Sequence, residues 1–230
     1  GTETLEHACQ YLEAGRGTVP EAVPPELPCT RFALDCARGA LAEAPAKTFH
    51  VAGLLPAGPE ALEVAEKLLS EGYSTLKWKI GVTPMESEQR VATQLFRLLH
   101  GRGILRLDAN GALTPEDAES WAHFLSEMPI EYLEQPLPRG EEQAMAQLTR
   151  DYALPVALDE SLCGVDALPA AVDRFPQGPF VLKPAFLGEV ATYLQWREAH
   201  PGARVIYSSA FETAIGVEAV LALAALDPHC

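Results

Sequence analysis

Six residues able to do chemistry stand at the ends of six successive short apolar runs: Lys79, Asp108, Glu134, Asp159, Lys183 and Ser208. Three carboxylates brought together repel one another unless a cation sits among them. Hard oxygen donors with room left for water and substrate oxygens suit Mg2+ better than zinc or iron. A lysine serves as a base near neutral pH when burial or like charge lowers its pKa, and Lys77, two residues before Lys79, supplies such a charge. A cation flanked by two lysines is equipment for moving the proton next to a carboxylate, because the cation stabilises the enolate while a lysine takes or returns the proton. Plainer alternatives exist for both groups. Lys77-x-Lys79 alone could mark an edge strand that discourages association, and the acids could be surface carboxylates beside loops.

These residues need strands to bring them together. In Thr75-Leu76-Lys77-Trp78-Lys79-Ile80-Gly81 the alternation predicts a strand with both lysines on one side and Leu76, Trp78 and Ile80 on the other. Further strands are predicted over Phe49 to Leu55, Ile104 to Asp108, Ile130 to Glu134, Val156 to Asp159, Phe180 to Lys183 and Arg204 to Ser208, with centres about 26 residues apart, the length of one βα unit. Between them, apolar residues spaced by three and four predict helices over Gly58 to Glu71, Pro84 to His100, Pro115 to Glu127, Glu141 to Arg150, Val165 to Arg174, Gly188 to His200 and Glu212 to Leu226. Thr83-Pro84 and Thr114-Pro115 have the composition of helix starts.

Alternating βα units imply a parallel sheet, doubly wound or closed into a barrel. A doubly wound sheet uses only a few strand ends at its switch point, whereas a (β/α)8 barrel displays residues from all strands at one face, so the six strand ends favour the barrel. Neighbouring strands lie about 4.8 Å apart, so three consecutive ones can converge Asp108, Glu134 and Asp159 on one point. Strands two and six fall on opposite sides of such a ring, which would place Lys79 and Lys183 on either side of the acids. Seven strands are counted where a barrel needs eight, and the last unit is expected outside this stretch. Residues 1–47 differ in kind: Thr4 to Ala14 and Cys29 to Ala44 have helical spacing, separated by a proline-rich loop over Val19 to Pro28.

Composition excludes several classes of partner. With 17 basic and 32 acidic residues among 230, the formal charge of -15 argues against nucleic acid or an anionic membrane surface. No apolar run reaches the length of a membrane span, and no signal peptide opens the chain. The five cysteines are odd in number and scattered without Cys-x-x-Cys spacing, which fits a reducing cytoplasm and indicates neither a disulfide framework nor a thiolate zinc site. Trp78 is expected to pack outward against the helices, and Cys163 reads as a small buried residue. Oligomeric state has no signature in the sequence.

Lys77-x-Lys79, Arg106-Leu107-Asp108-Ala109-Asn110-Gly111, Glu134-Gln135-Pro136, Asp159-Glu160-Ser161 and Lys183-Pro184, in this order, resemble the muconate-lactonizing branch of the enolase superfamily. The resemblance implies a (β/α)7β barrel over 48–230 and, over 1–47, the C-terminal helices of an α+β capping domain. It also implies Mg2+ held by Asp108, Glu134 and Asp159, an acid/base pair in Lys79 and Lys183, and supporting or substrate-facing roles for Lys77, Arg106, Asn110 and Ser208. Ser208-Ser209-Ala210-Phe211-Glu212-Thr213-Ala214-Ile215-Gly216 is similar to the seventh-strand segment of o-succinylbenzoate synthases, and Arg106, two residues before Asp108, also fits that family. That family dehydrates a succinylated cyclohexadiene carboxylate in menaquinone or phylloquinone synthesis. The likeness implies a carbon-oxygen lyase in which Lys79 removes the proton α to the carboxylate and then protonates the departing hydroxyl. Lys183 would stabilise the enolate and Ser208 would lie near the succinyl tail. Phe211, Thr213 and Ala214 depart from the commoner residues there. Rival expectations are an N-acylamino acid racemase or dipeptide epimerase, which would use both lysines as equal bases, and a non-catalytic cation-binding barrel, which would need neither.

Overall fold

The computed structural model describes residues 2–15, 22–164, 167–175 and 178–230. The chain divides into two units, 49–161 and 1–48 with 162–230. In the first, strands β1 (Gly53–Leu55), β2 (Thr75–Lys79), β3 (Ile104–Asp108), β4 (Ile130–Glu134) and β5 (Val156–Ala157) form one parallel sheet in sequence order. Helices α3 (Ala61–Ser70), α4 (Met85–Leu99), α5 (Pro115–Leu125) and α6 (Glu142–Tyr152) make the crossovers. Alternation dictates the core. Leu76, Trp78, Leu105, Leu107 and Leu133 on the strands are buried, as are Ala65, Ala92, Leu95, Trp121 and Met145 on the helices, each large side chain contributing about 1.5–3 kcal/mol by leaving water. The Trp78 indole faces that layer as expected and donates to Pro56 O at 3.0 Å.

Several boundaries are shorter than the sequence implies, each for a local reason. β1 covers Gly53–Leu55 and not the whole of 49–55, because its partner β2 starts only at Thr75 and pairs Leu76 with Gly53. β5 stops at Ala157, two residues short of Asp159. The shift between Leu105 and Arg106 against β4 leaves Glu131 as the extra residue of a bulge. Thr114 caps α5 as predicted, accepting from Asp117 N at 3.1 Å with Pro115 in the first turn. Thr83 does not cap α4. Its cap residue is Pro84, and the N–H groups of 81–83 are instead taken by Glu88 from within the helix.

The second unit contains α1 (Leu5–Ala14), α2 (Pro28–Ala37), α7 (Ala167–Arg174), α8 (Val190–Ala199), α9 (Ala214–Leu226) and the parallel pair β6 (Phe180–Leu182) with β7 (Val205–Tyr207). The predicted start of α7 at 165 and the first residues of the 19–28 loop lie outside the described residues. α2 ends at Ala37, not at 44, because Gly39 turns left-handed at φ 88, the conformation that commonly ends a helix. Its start has no side-chain cap of its own. The Glu3 carboxylate does that work from a distance, accepting Cys29 N at 2.8 Å and Thr30 N at 3.1 Å. α2 is tied to the start of α8 by an Arg31–Glu189 ion pair and by Val190 N donating to Asp35 Oδ2 at 3.1 Å.

The polar centre of this unit is a buried ion pair that sequence pattern did not reveal. Arg197 on α8 holds Asp227, just past α9, through Nε at 3.1 and 2.9 Å. Tyr207 at the end of β7 donates to the same carboxylate at 2.9 Å. Burial pushes the Tyr207 and Tyr193 phenols above their ordinary value, so both remain neutral donors. Arg197 and Asp227 are 2% and 1% exposed, and removing one partner strands the other charge in the interior. Asp227→Ala is therefore expected to lower unfolding free energy by about 3–5 kcal/mol, measured by urea denaturation. A loss below about 1 kcal/mol, the level of a surface pair, would refute the assignment of this pair as a tie between α8 and α9.

Candidate active site

Strand register builds the site. Lys79 pairs with Asp108 and Asp108 with Glu134, so one residue from each of β2, β3 and β4 stands in a single row at the carboxyl ends of the strands. The next position in that row is Ala157. Asp159 lies one pleat further, beyond the end of β5, so the three acids do not share one height. Asp108, Glu134 and Asp159 are 7%, 0% and 3% exposed, which excludes the reading of them as surface acids.

Charge compensation comes from within β2. Lys77 Nζ lies 2.8 Å from Asp108 Oδ2 and 2.6 Å from Glu134 Oε1. Burial alone would lower the lysine, but Glu134 and Asp108 outweigh it and hold its pKa above the ordinary value. Lys77 is therefore a fixed cation rather than a base. The Glu134 carboxyl is pushed up to about 8 by burial, with Lys77 pulling down and the Asp108 and Asp159 charges pushing up. Lys79 is exposed and, among the described residues, forms no hydrogen bond or ion pair. Two lysines two residues apart thus occupy opposite electrostatic settings.

The loops after the strands are pinned by acceptor side chains. Glu88, 2% exposed, accepts Gly81 N, Val82 N and Thr83 N, each at 2.9 Å, fixing the turn that follows Lys79. Asp108 Oδ1 accepts Asn110 N at 3.0 Å. The Asn110 amide, expected in a supporting or substrate-facing role, donates to Glu160 Oε1 at 3.2 Å and so links the loops after β3 and β5. Gly111, at φ 69, has Leu137 O only 3.3 Å from where a Cβ would be, and its N–H reaches Gln135 O at 2.7 Å. Glycine is required there by both hand and space.

Arg106 is two residues below the row, not at its mouth. Its guanidinium is committed to Glu131, Nε to Oε2 at 2.6 Å and Nη2 to Oε1 at 3.2 Å, with Tyr132 beneath it at 5.1 Å. It also borders a cavity of about 380 Å3 at the amino ends of β1 and β2, lined by Phe49, Ala52, Tyr73 and Ser74. In the second unit, Lys183 directly follows β6 and is half-buried, while Ser208 directly follows β7 and extends its ladder through N to Leu182 O at 2.8 Å. Cys163 is half-buried, not buried.

Among the described residues, no group of three or more His, Cys, Asp and Glu side chains is gathered for metal binding; Lys77 lies against two of the three acids instead. The donor set nonetheless fits a hard divalent cation. Three carboxylates are buried on adjacent chain segments, and Glu134 Oε2 is buried with no hydrogen-bond partner. Such an oxygen lacks a cation or donor that its burial requires.

Parallel βα units with lysines and acids at successive strand ends define an enolase-type α/β protein, and residues 60–229 match the family model described as enolase C-terminal domain-like. An o-succinylbenzoate synthase from Thermosynechococcus vestitus is 34% identical over 237 residues, covering 97% of this chain and 72% of that protein. The crystal structure of o-succinylbenzoate synthase from Thermosynechococcus elongatus BP-1, complexed with Mg in its active site, superposes on 100% of this chain and 75% of its own with a TM-score of 0.90 at 31% identity. An N-succinylamino acid racemase from Thermus thermophilus is 31% identical over 136 residues, covering 59% of this chain and 36% of that protein. The fold is thus the enolase-superfamily (β/α)7β arrangement with capping helices. This chain belongs to the o-succinylbenzoate synthase family of that superfamily.

The Lys77 bridge generates a test that needs no substrate. Lys77→Met removes the ammonium from two buried carboxylates and is expected to cost about 3 kcal/mol of stability, read as a lower thermal midpoint in chelator. The Glu134 carboxyl rises from an ordinary 4.5 to about 8 in the fold, so its contribution to stability declines as pH rises between those values. Without Lys77 the folded value rises further, so the variant should continue to lose stability above about pH 8, where the parent levels off. Parallel curves for the two proteins would show that Lys77 does not compensate Glu134.

Proposed function

We propose that this chain carries the chemistry of an o-succinylbenzoate synthase: removal of the proton α to a carboxylate and loss of a β hydroxyl as water, in menaquinone or phylloquinone synthesis. The supporting observation is the match to a synthase structure along the whole chain, with Lys79, Asp108 and Glu134 in one register row. Asp108, Glu134 and Asp159 are the residues that would hold Mg2+, whose charge would stabilise the enolate when bound. Lys79, at the exposed end of β2 and without a partner among the described residues, takes the proton. The same ammonium then returns it to the hydroxyl as the carbon-oxygen bond breaks, so proton and hydroxyl leave together as water. Lys77 stays charged throughout and keeps the acids compensated. To Lys183, after β6, we assign electrostatic stabilisation of the enolate. Ser208 is assigned to the substrate's succinyl tail, and domain roles follow the sequence reading: 1–47 as capping helices and 48–230 as barrel. No helix among the described residues is long and apolar enough to cross a membrane; a small carboxylate substrate and a cytoplasmic setting complete the proposal.

Similarity to an N-succinylamino acid racemase supports a second reading, in which Lys79 and Lys183 exchange one proton between faces of an N-succinylamino acid. One set of assays separates the two. The protein is expected to dehydrate the succinylated cyclohexadienol carboxylate only with Mg2+. Alanine at Asp108, Glu134 or Asp159 should abolish that Mg2+-dependent turnover, and Lys79→Ala should lower turnover about 10^2–10^4-fold. Lys183→Arg keeps positive charge and should retain dehydration while losing any racemisation. Equal loss in Lys79→Arg and Lys183→Arg, with solvent deuterium entering N-succinylamino acids from both faces, would establish the racemase instead.

A further inference from the structure

Gln135 touches none of the chemistry proposed above, yet its amide is wholly buried and completely used. Oε1 accepts the backbone N–H of Asp159 at 2.9 Å and of Ser161 at 3.2 Å. Nε2 donates to Leu137 O and to Ser161 Oγ, both at 2.9 Å, with Met145 Sδ at 3.8 Å. Two acceptor and two donor positions are all that a primary amide possesses. The backbone here is left-handed, at φ 37, a sparsely populated conformation for a residue with a Cβ. That turn sends Gln135 N to Ala157 O at 2.8 Å and offers Gln135 O to Gly111 N at 2.7 Å.

The arrangement answers a question left by the strand register. The partner of Glu134 on β5 is Ala157, so Asp159 stands beyond the last ladder position joining β4 to β5. What holds Asp159 N is the Gln135 side chain, which extends the cross-strand bonding by one step where the backbone of β4 has turned away. Because the bond is to the main chain at 159 and again at 161, it fixes the segment from both sides of Glu160. Gln135 directly follows Glu134, so one residue anchors two of the three acids to a common frame.

We infer that Gln135 is a positioning residue that sets the height of the Asp159 carboxylate relative to Glu134, and through it the affinity for Mg2+. The inference rests on the reading of Asp108, Glu134 and Asp159 as the residues that hold the cation. Residues that orient metal-binding side chains without touching the metal typically alter affinity by about 10–100-fold when replaced.

The test is calorimetric titration of Mg2+, without substrate, into the protein and into Gln135→Gly and Gln135→Met. Glycine accepts the left-handed backbone without strain, so it removes the amide while keeping the turn. Methionine fills the volume without the hydrogen bonds. Both variants should bind Mg2+ about 10–100-fold more weakly, and turnover should return at saturating Mg2+ with the substrate KM little changed. Unaltered Mg2+ affinity in Gln135→Gly would overturn the inference and leave position 135 as a turn alone. Should that variant fail to unfold cooperatively, Gln135→Met is read by the same criterion. A parent protein that takes up no Mg2+ would overturn the cation reading itself, whereas a parent that binds and variants that bind equally well would overturn only the role of Gln135.

Discussion

The carboxyl end of the first sheet depends on one electrostatic constraint: buried carboxylates must be matched by positive charge. Glu134 has no exposure at all, and Asp108 stands beside it in register. Their partner is Lys77, one pleat below Lys79 on the neighbouring strand. An ammonium held between two carboxylates is stabilised in its charged form, while each added carboxylate raises the proton affinity of the others. The site is thus balanced short of neutrality by its own residues. Glu134 Oε2, buried and without a donor, is where that shortfall is most visible.

The same constraint divides labour between two identical side chains. Lys77 and Lys79 point to one side of β2, yet the pleat displaces them by two residues along the strand. The lower one falls between the acids and is locked as a cation. The upper one clears them, reaches solvent and has no partner among the described residues. A lysine bonded to two carboxylates is held in its charged form and has no lone pair to offer as a base.

A single device recurs in the loops after β2, β3, β5 and β7. A strand end leaves backbone N–H groups without ladder partners, and an acceptor side chain collects them. Glu88 takes the amides of 81–83, Asp108 that of Asn110, Gln135 those of Asp159 and Ser161, and Glu212 that of Ala210 at 2.7 Å. Loops fixed in this way present side chains with little freedom to lose when a ligand arrives, which is the physical content of preorganisation. Departures from that scheme are equally informative. The resemblance gave Arg106 a supporting or substrate-facing role, but the β4 bulge delivers Glu131 to it and draws the guanidinium into a structural pair.

Alternation and helical periodicity made the order of βα units, both lysines on one side of β2 and the outward packing of Trp78 legible in the amino-acid sequence, because each depends on residues a few positions apart. The succession of Lys79, Asp108, Glu134, Asp159 and Lys183 was legible too, since a polar residue closing an apolar run needs no partner to be seen. Tertiary structure alone decided what those residues meet. Whether Lys77 tunes its neighbour or compensates Glu134, whether Asp159 shares the row of Asp108, and whether Arg106 faces the site are set by register and by a bulge between strands about 25 residues apart in sequence. The Arg197–Asp227 pair and the Glu3 cap of α2 lay beyond sequence reading for the same reason. Each joins residues whose separation along the chain carries no periodic signal, and only folding brings the charge and its partner together.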